Sequence, residues 1–171
     1  MAETTTAGPI PAKDRILLGL VPATLLFIAD QVSKWWVLEQ IQLPRLGRIE
    51  ISPIFDLTMV WNYGVSFGLL KAGSELERWG LVVLSGVISA VFAVWLARAE
   101  RRLTALALGV VIGGALGNMV DRIRYGAVAD FLDFSGLYFP YVFNVADAAI
   151  TIGAAMLFID LMFNDPKKAR A

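Results

Sequence analysis

Two aspartates stand where a carboxylate is costly to keep. Asp147 opens the apolar stretch FNVADAAITIG (Phe143–Gly153), and Asp130 lies within YGAVADFLDF (Tyr125–Phe134). The chain has no His and no Cys, so it offers neither an imidazole base nor a thiol nucleophile. Acid–base chemistry then falls to carboxylates, Lys, Tyr or water, and no metal or cofactor site is expected. Two close carboxylates in a low dielectric cannot both ionise cheaply, so repulsion and desolvation split their protonation and the pair shares a proton. Aspartic peptide hydrolysis needs that state: the ionised member takes a proton from water while the protonated member polarises the scissile carbonyl. Donors recur nearby at helical spacing. Asn118, Asp121 and Arg122 of GNMVDR stand at i, i+3 and i+4; Asn144 and Asp147 stand at i and i+3; Asp30 and Lys34 stand at i and i+4. Asn and Arg groups beside such a pair orient carbonyls or stabilise developing negative charge.

These residues must be positioned by membrane helices. The 171-residue chain is 57% hydrophobic and 18% charged with a net charge of zero, which suits a single integral membrane domain and gives no footing for nucleic acid. Apolar runs near 16–38, 79–97, 103–120 and 143–163 each approach the roughly 20 residues that cross a bilayer as a helix. The first lacks a small-x-small cleavage pattern and is read as a retained span. Lys13 and Arg15 precede the first span, Arg98, Arg101 and Arg102 fill the turn between the second and third, and Lys167, Lys168 and Arg170 follow the fourth. An even number of spans puts these clusters, the 1–12 and 165–171 tails and both termini on the cytoplasmic side. The segment 39–78 and the loop 123–142 then face outward. Phe55, Leu57, Met59 and Trp61 alternate with Asp56, Thr58, Val60 and Asn62, a strand period that predicts a small sheet on the membrane surface. Ser74 and Glu77 form a capping box opening the second span. Trp35, Trp36, Trp61 and Trp79 suit an interfacial belt. Ala105, Gly109, Gly113 and Gly117 make a small-residue stripe, expected to pack the third span on Ala146, Ala149 and Gly153 of the fourth. That packing would bring Asp130 to Asp147 at the outer rim, level with Asp30 and Lys34.

Plainer readings stand beside this one. An Asp near a helix start can be a cap alone, and Asp30–Lys34 can be a structural ion pair. Asp121 and Arg122 are expected to find partners elsewhere and to hold the loop. Asp133 is expected to be solvated, though it is the main rival to Asp130. A proton-linked transporter would use the same carboxylates as a relay, and a Ser–Lys peptidase would recruit Lys34 with Ser66. A bare membrane scaffold would leave the polar cluster unexplained.

The blocks DQVSK (Asp30–Lys34), NYGVSFG (Asn62–Gly68), GNMVDR (Gly117–Arg122), VADFLDF (Val128–Phe134) and FNVADAAI (Phe143–Ile150), in this order, resemble the lipoprotein signal peptidases, the type II signal peptidases of bacteria. The resemblance covers nearly all of the chain beyond the first dozen residues. It implies an all-α membrane protein of the bacterial inner membrane: a four-transmembrane-helix bundle with a small periplasmic β-sheet, a short interfacial helix or loop, and an active site near the periplasmic face. It implies an aspartic endopeptidase that cuts prolipoproteins on the amino side of a diacylglyceryl-modified cysteine, with membrane lipids around it and a monomer sufficient. The family's catalytic pair falls on Asp130 and Asp147. Asn118, Arg122 and Asn144 match positions lining the site, Asn62 and Gly64 match the bordering periplasmic block, and Asp30 and Lys34 match a structural or substrate-gripping pair. Ala129 replaces a commonly bulkier residue.

Overall fold

A computed structural model describes residues 10–64 and 74–163. The N-terminal tail through residue 9, Val65–Gly68 with Ser66, Lys71, and the basic cluster Lys167, Lys168 and Arg170 lie outside the described residues. Helix α1 (Ala12–Trp35) continues through a π turn, Trp36–Gln40. After it, Gln42 takes a left-handed conformation (φ 55°) and starts the one-turn helix α2 (Leu43–Leu46). Strands β1 (Arg48–Ser52) and β2 (Phe55–Asn62) follow, then α3 (Glu75–Arg98) and α4 (Arg102–Tyr125). Strand β3 (Val128–Asp133), a 3-10 turn at Ser135–Leu137, strand β4 (Val142–Phe143) and α5 (Val145–Phe163) complete the chain.

Among the described residues, α1 with its π turn, α3, α4 and α5 are long and apolar enough to cross a membrane. The first three extend beyond their apolar runs, whereas α5 starts two residues inside its own. α4 carries on to Tyr125, beyond the expected end at 120, because Asp121 and Arg122 find partners inside the protein. Phe143, expected within the fourth span, lies instead in β4. α4 is the central helix: most of it is buried, whereas α1, α3 and α5 turn large side chains such as Leu25, Val83 and Phe158 outward. Such faces suit lipid rather than water.

The small-residue stripe forms as expected but meets a different neighbour. A Cβ on Gly109 would strike the backbone of Gly19, and one on Gly113 would strike that of Ala23, so the stripe lets α1 approach. α5 does pack on α4, one residue around the helix: Gly114 abuts Ala146, and Gly153 abuts Ala107 and Val111. Adjacent helical positions lie about 100° apart, so one helix serves both partners with different small residues.

The capping box opens α3, with the Ser74 Oγ accepting from the Glu77 N–H at 3.2 Å. α4 ends at Gly126, left-handed at φ 80°, and Arg78 of α3 donates to the last-turn carbonyls of Arg122 and Ile123, each at 2.8 Å. Those contacts satisfy groups that a helix end otherwise leaves orphaned. The sheet has the order β1-β2-β3-β4 and is antiparallel throughout. Val37, Leu43, Leu57 and Phe131 form a buried apolar cluster between it and the helical end. The expected polar face of β2 is not simply solvated: Asp56 is buried and paired with Arg48 at 2.5 Å.

Candidate active site

Asp130 sits mid-strand in β3, opposite Val60 of β2. Asn62 lies opposite Val128, which makes it the diagonal neighbour of Asp130 on one sheet face. Its Nδ2 donates to Asp130 Oδ2 at 3.1 Å, while its Oδ1 accepts from the Gly64 N–H at 3.0 Å. Gly64 holds φ 105°, and a Cβ there would press on Leu81 at 2.5 Å, so glycine keeps this turn close to the bundle. Asp133 is three residues from Asp130 and therefore on the other face. It is buried rather than solvated, 7% exposed, where it accepts from Thr58 Oγ1 at 2.7 Å and the Ser135 N–H at 2.9 Å. Those bonds hold its carboxyl below the usual range.

Asp147 lies in the first turn of α5, in a cap with Asn144: the Asn144 N–H donates to Asp147 Oδ2 at 3.2 Å, and the Asp147 N–H to Asn144 Oδ1 at 2.9 Å. So the capping role considered for Asp147 is real, but it is not the whole of the arrangement. Asn144 is fully buried, and its Nδ2 donates to Asp130 Oδ1 at 2.6 Å. One asparagine thus ties both aspartates together. Asn118 of α4 completes the link, its Nδ2 reaching Asp147 Oδ1 at 2.8 Å. Burial, and after it the charge of Asp147, pushes the Asp130 carboxyl up to about 6.

The remaining predicted residues form the surround. The Arg122 guanidinium lies within electrostatic reach of Asp147, Asp121 and Asp130; it donates to the Asn118 carbonyl at 3.3 Å, and its buried Nε has no partner among the described residues. Asp30 and Lys34 make the i, i+4 ion pair, at 2.9 Å, and it is buried. Asp121 reaches the same Lys34 at 2.8 Å. Neither this second ion pair nor Gln31, which donates to both acids, was anticipated. DQVSK and GNMVDR carry both residues, but nothing in their spacing pairs the two helices. Lys34 Nζ also meets Asn118 Oδ1 at 3.1 Å, so its ammonium is engaged on every side.

Two cavities border the aspartates, one at each. One of ≈ 320 Å³ is apolar, walled by Phe139, Phe143, Ala148, Thr151 and Ile152, with Asp147 at its edge. The other, of ≈ 470 Å³, lies between β2 and the segment 140–142 that leads into β4, with Trp61, Asn62, Tyr141 and Asp130 in its wall. Chemically, the arrangement offers a carboxyl that keeps its proton well above the ordinary range, beside a second carboxylate, in a site open to both lipid-like and extended polar groups.

The family model described as Signal peptidase (SPase) II matches residues 22–163. The chain is similar to the lipoprotein signal peptidase of Rhizorhabdus wittichii, 48% identical over 153 residues that span 88% of this chain and 89% of the relative. It is 44% identical over 153 residues to that of Caulobacter vibrioides, covering 85% and 87%. Among solved structures, it resembles a bacterial membrane enzyme determined by the in meso method at 2.3 Å, with TM-score 0.74, 25% identity and 94% of each chain covered.

Proposed function

The chain belongs to the signal peptidase II family, multi-pass membrane proteases that process lipoproteins, and on that premise we propose that it hydrolyses its substrate with the Asp130–Asp147 pair. The observation that carries the reading is Asn144, which holds both carboxylates within hydrogen-bonding distance of itself. Asp147, with two N–H donors on its oxygens, takes a proton from water, and the oxygen attacks the scissile carbonyl carbon. Asp130 gives its proton to the carbonyl oxygen. The resulting diol collapses as the C–N bond breaks: Asp130, now ionised, takes a proton back from one diol hydroxyl, and the proton on Asp147 leaves with the amine. Arg122, with an uncommitted Nε, is suited to the developing negative charge.

The substrate in this reading is a prolipoprotein whose cysteine carries diacylglycerol, cut on the amino side of that cysteine. The apolar cavity beside Asp147 is suited to acyl chains, and the cavity over Asp130 to extended peptide. Anchoring the cysteine in lipid converts encounter into an oriented reaction. The site then faces the periplasm, with both termini in the cytoplasm, in the bacterial inner membrane. A monomer suffices, and no cofactor is required.

A Ser–Lys mechanism fits less well, because Lys34 is committed to two carboxylates and an amide oxygen. A proton relay needs ionisable groups along the spans. Among the described residues the buried acids of the spans gather at the two ends, with Asp160 beside Thr104 and Arg101 at the end away from the sheet. The test is prolipoprotein processing by purified variants. Asp130→Asn and Asp147→Asn are expected to stay folded and lose turnover, while Asp133→Asn keeps it; normal turnover in either of the first two overturns the assignment.

A further inference from the structure

We infer that the buried Asp30–Lys34–Asp121 cluster is the positioning device of the aspartate pair: it ties down the backbone just before each aspartate and fixes which way Asn118 presents its amide. The inference rests on the aspartic reading above and concerns groups that make no hydrogen bond to either reacting carboxylate.

Lys34 is 2% exposed, and Asp30 and Asp121 are each 0% exposed. Burying three charged groups costs more than their attraction returns unless every polar atom is satisfied. Here the three N–H groups of Lys34 meet Asp30 Oδ2 at 2.9 Å, Asp121 Oδ2 at 2.8 Å and Asn118 Oδ1 at 3.1 Å. One acid would satisfy one lysine; two carboxylates leave a formal net charge of −1 and need a further reason. Their other contacts supply it. Asp30 Oδ1 accepts from the N–H of Ala146 at 3.0 Å, the residue immediately before Asp147. Asp121 Oδ2 accepts from the N–H of Ala129 at 3.2 Å, the residue immediately before Asp130. Gln31 bridges the two acids, and a Cβ on Gly117 would strike the Asp30 carboxylate, so glycine at that point lets the cluster close.

An asparagine side chain presents either its oxygen or its NH₂ to a neighbour, and only the NH₂ helps a carboxylate. Two donor-only groups decide the matter. Lys34 has no acceptor, so Asn118 must turn Oδ1 to it and Nδ2 to Asp147. The Asp147 N–H has none either, so Asn144 turns Oδ1 to it and Nδ2 to Asp130 and to Asn118 Oδ1. A lysine that touches neither carboxylate thereby sets the Asn118 donor on Asp147, and the acceptor it holds in place, Asn118 Oδ1, also receives Asn144 Nδ2.

The experiment uses the full chain in nanodiscs and a synthetic diacylglyceryl-cysteine peptide. Lys34→Met is made together with Asp30→Asn, which keeps the cluster's net charge, and Asp121→Asn is made alone, which leaves the Asp30–Lys34 pair. Misplacing reacting groups by about 1 Å costs on the order of 100-fold in rate, so the Lys34→Met/Asp30→Asn chain should lose kcat on that scale with KM nearly unchanged. Asp121→Asn should lose about tenfold by the same cause. Adding Asn118→Ala to the Lys34→Met/Asp30→Asn chain should cost clearly less than the two separate losses combined, because the part of the effect that Lys34 exerts runs through that amide while the backbone ties act beside it. Side-chain amide resonances of Asn118 and Asn144 should shift in both variants, a readout that does not depend on turnover. Additive losses, a change confined to KM, or unmoved amide resonances in the folded variants overturn the inference. Retained cleavage by Asp147→Asn overturns instead the aspartic reading on which it rests.

Discussion

Burial, then the charge of Asp147, raises the Asp130 carboxyl from 3.8 to about 6, against the hydrogen bonds from Asn62 and Asn144 that favour its ionised form. A carboxyl whose folded pKa exceeds its unfolded one binds its proton more tightly in the folded state. Its stability contribution is therefore complete below the unfolded value and is lost as pH rises through about 6. At roughly 1.4 kcal/mol per pH unit the loss is about 3 kcal/mol. Asp130→Asn removes that loss, so its melting temperature in detergent should exceed the wild type's at pH 8, and the advantage should vanish toward pH 4. Catalysis reads the same group from the other side. If Asp130 supplies the proton, kcat/KM falls as pH rises through its pKa. Asn62→Ala removes a donor that stabilises the ionised form, so this limb should move to higher pH; a pH–rate profile checks it. Asp133 behaves oppositely. The bonds from Thr58 and Ser135 lower its pKa, so it stays ionised where Asp130 holds a proton, and it has none to give.

At the scale of elements, α4 carries the arrangement. It meets α1 through Gly109 and Gly113 and α5 through Gly114, and its last turns deliver Asn118, Asp121 and Arg122. Where lipid supplies no hydrophobic drive between helices, close backbone approach is what joins them. Gly113→Leu would place a side chain on the Ala23 backbone, and overpacking of this kind costs about 3 kcal/mol; unfolding in detergent should show that loss together with lost activity. Gly80 of α3 has open space around it. Gly80→Ala should therefore be tolerated and add about 0.5–1 kcal/mol through backbone entropy alone. The stripe itself was readable from spacing, its partner was not. A four-residue repeat of small side chains says that something packs there, and three other apolar helices were eligible.

At the scale of the whole molecule, the basic residues Lys13, Arg15, Arg98, Arg101 and Arg102 gather at the end of the bundle away from the sheet. The proposed orientation puts that end in the cytoplasm. The chain has no Cys, so single introduced cysteines report cleanly. Glu100→Cys in the α3–α4 turn should react with an impermeant thiol reagent only from the cytoplasmic side, and Ile51→Cys on β1 only from the periplasmic side. The reverse pattern would invert the protein and remove the site from the face where exported prolipoproteins arrive.

Sequence alone determined the spans, because a long apolar run in lipid satisfies its backbone only as a helix. It also pointed to one shared level for the polar residues, since Lys34, Asn118 and Asp147 each fall about a turn from the ends of their runs. The type II signal peptidase resemblance was legible in five short blocks. Only the tertiary structure decided that Asp130, and not Asp133, shares Asn144 with Asp147: strand alternation puts the two acids on opposite faces, and packing sets which face meets the start of α5. It alone decided that Lys34 answers to Asp121 as well as Asp30, and that the glycine stripe belongs to α1. Spacing along a chain states which residues share one face of one element; which element that face meets is settled by packing among residues far apart in sequence.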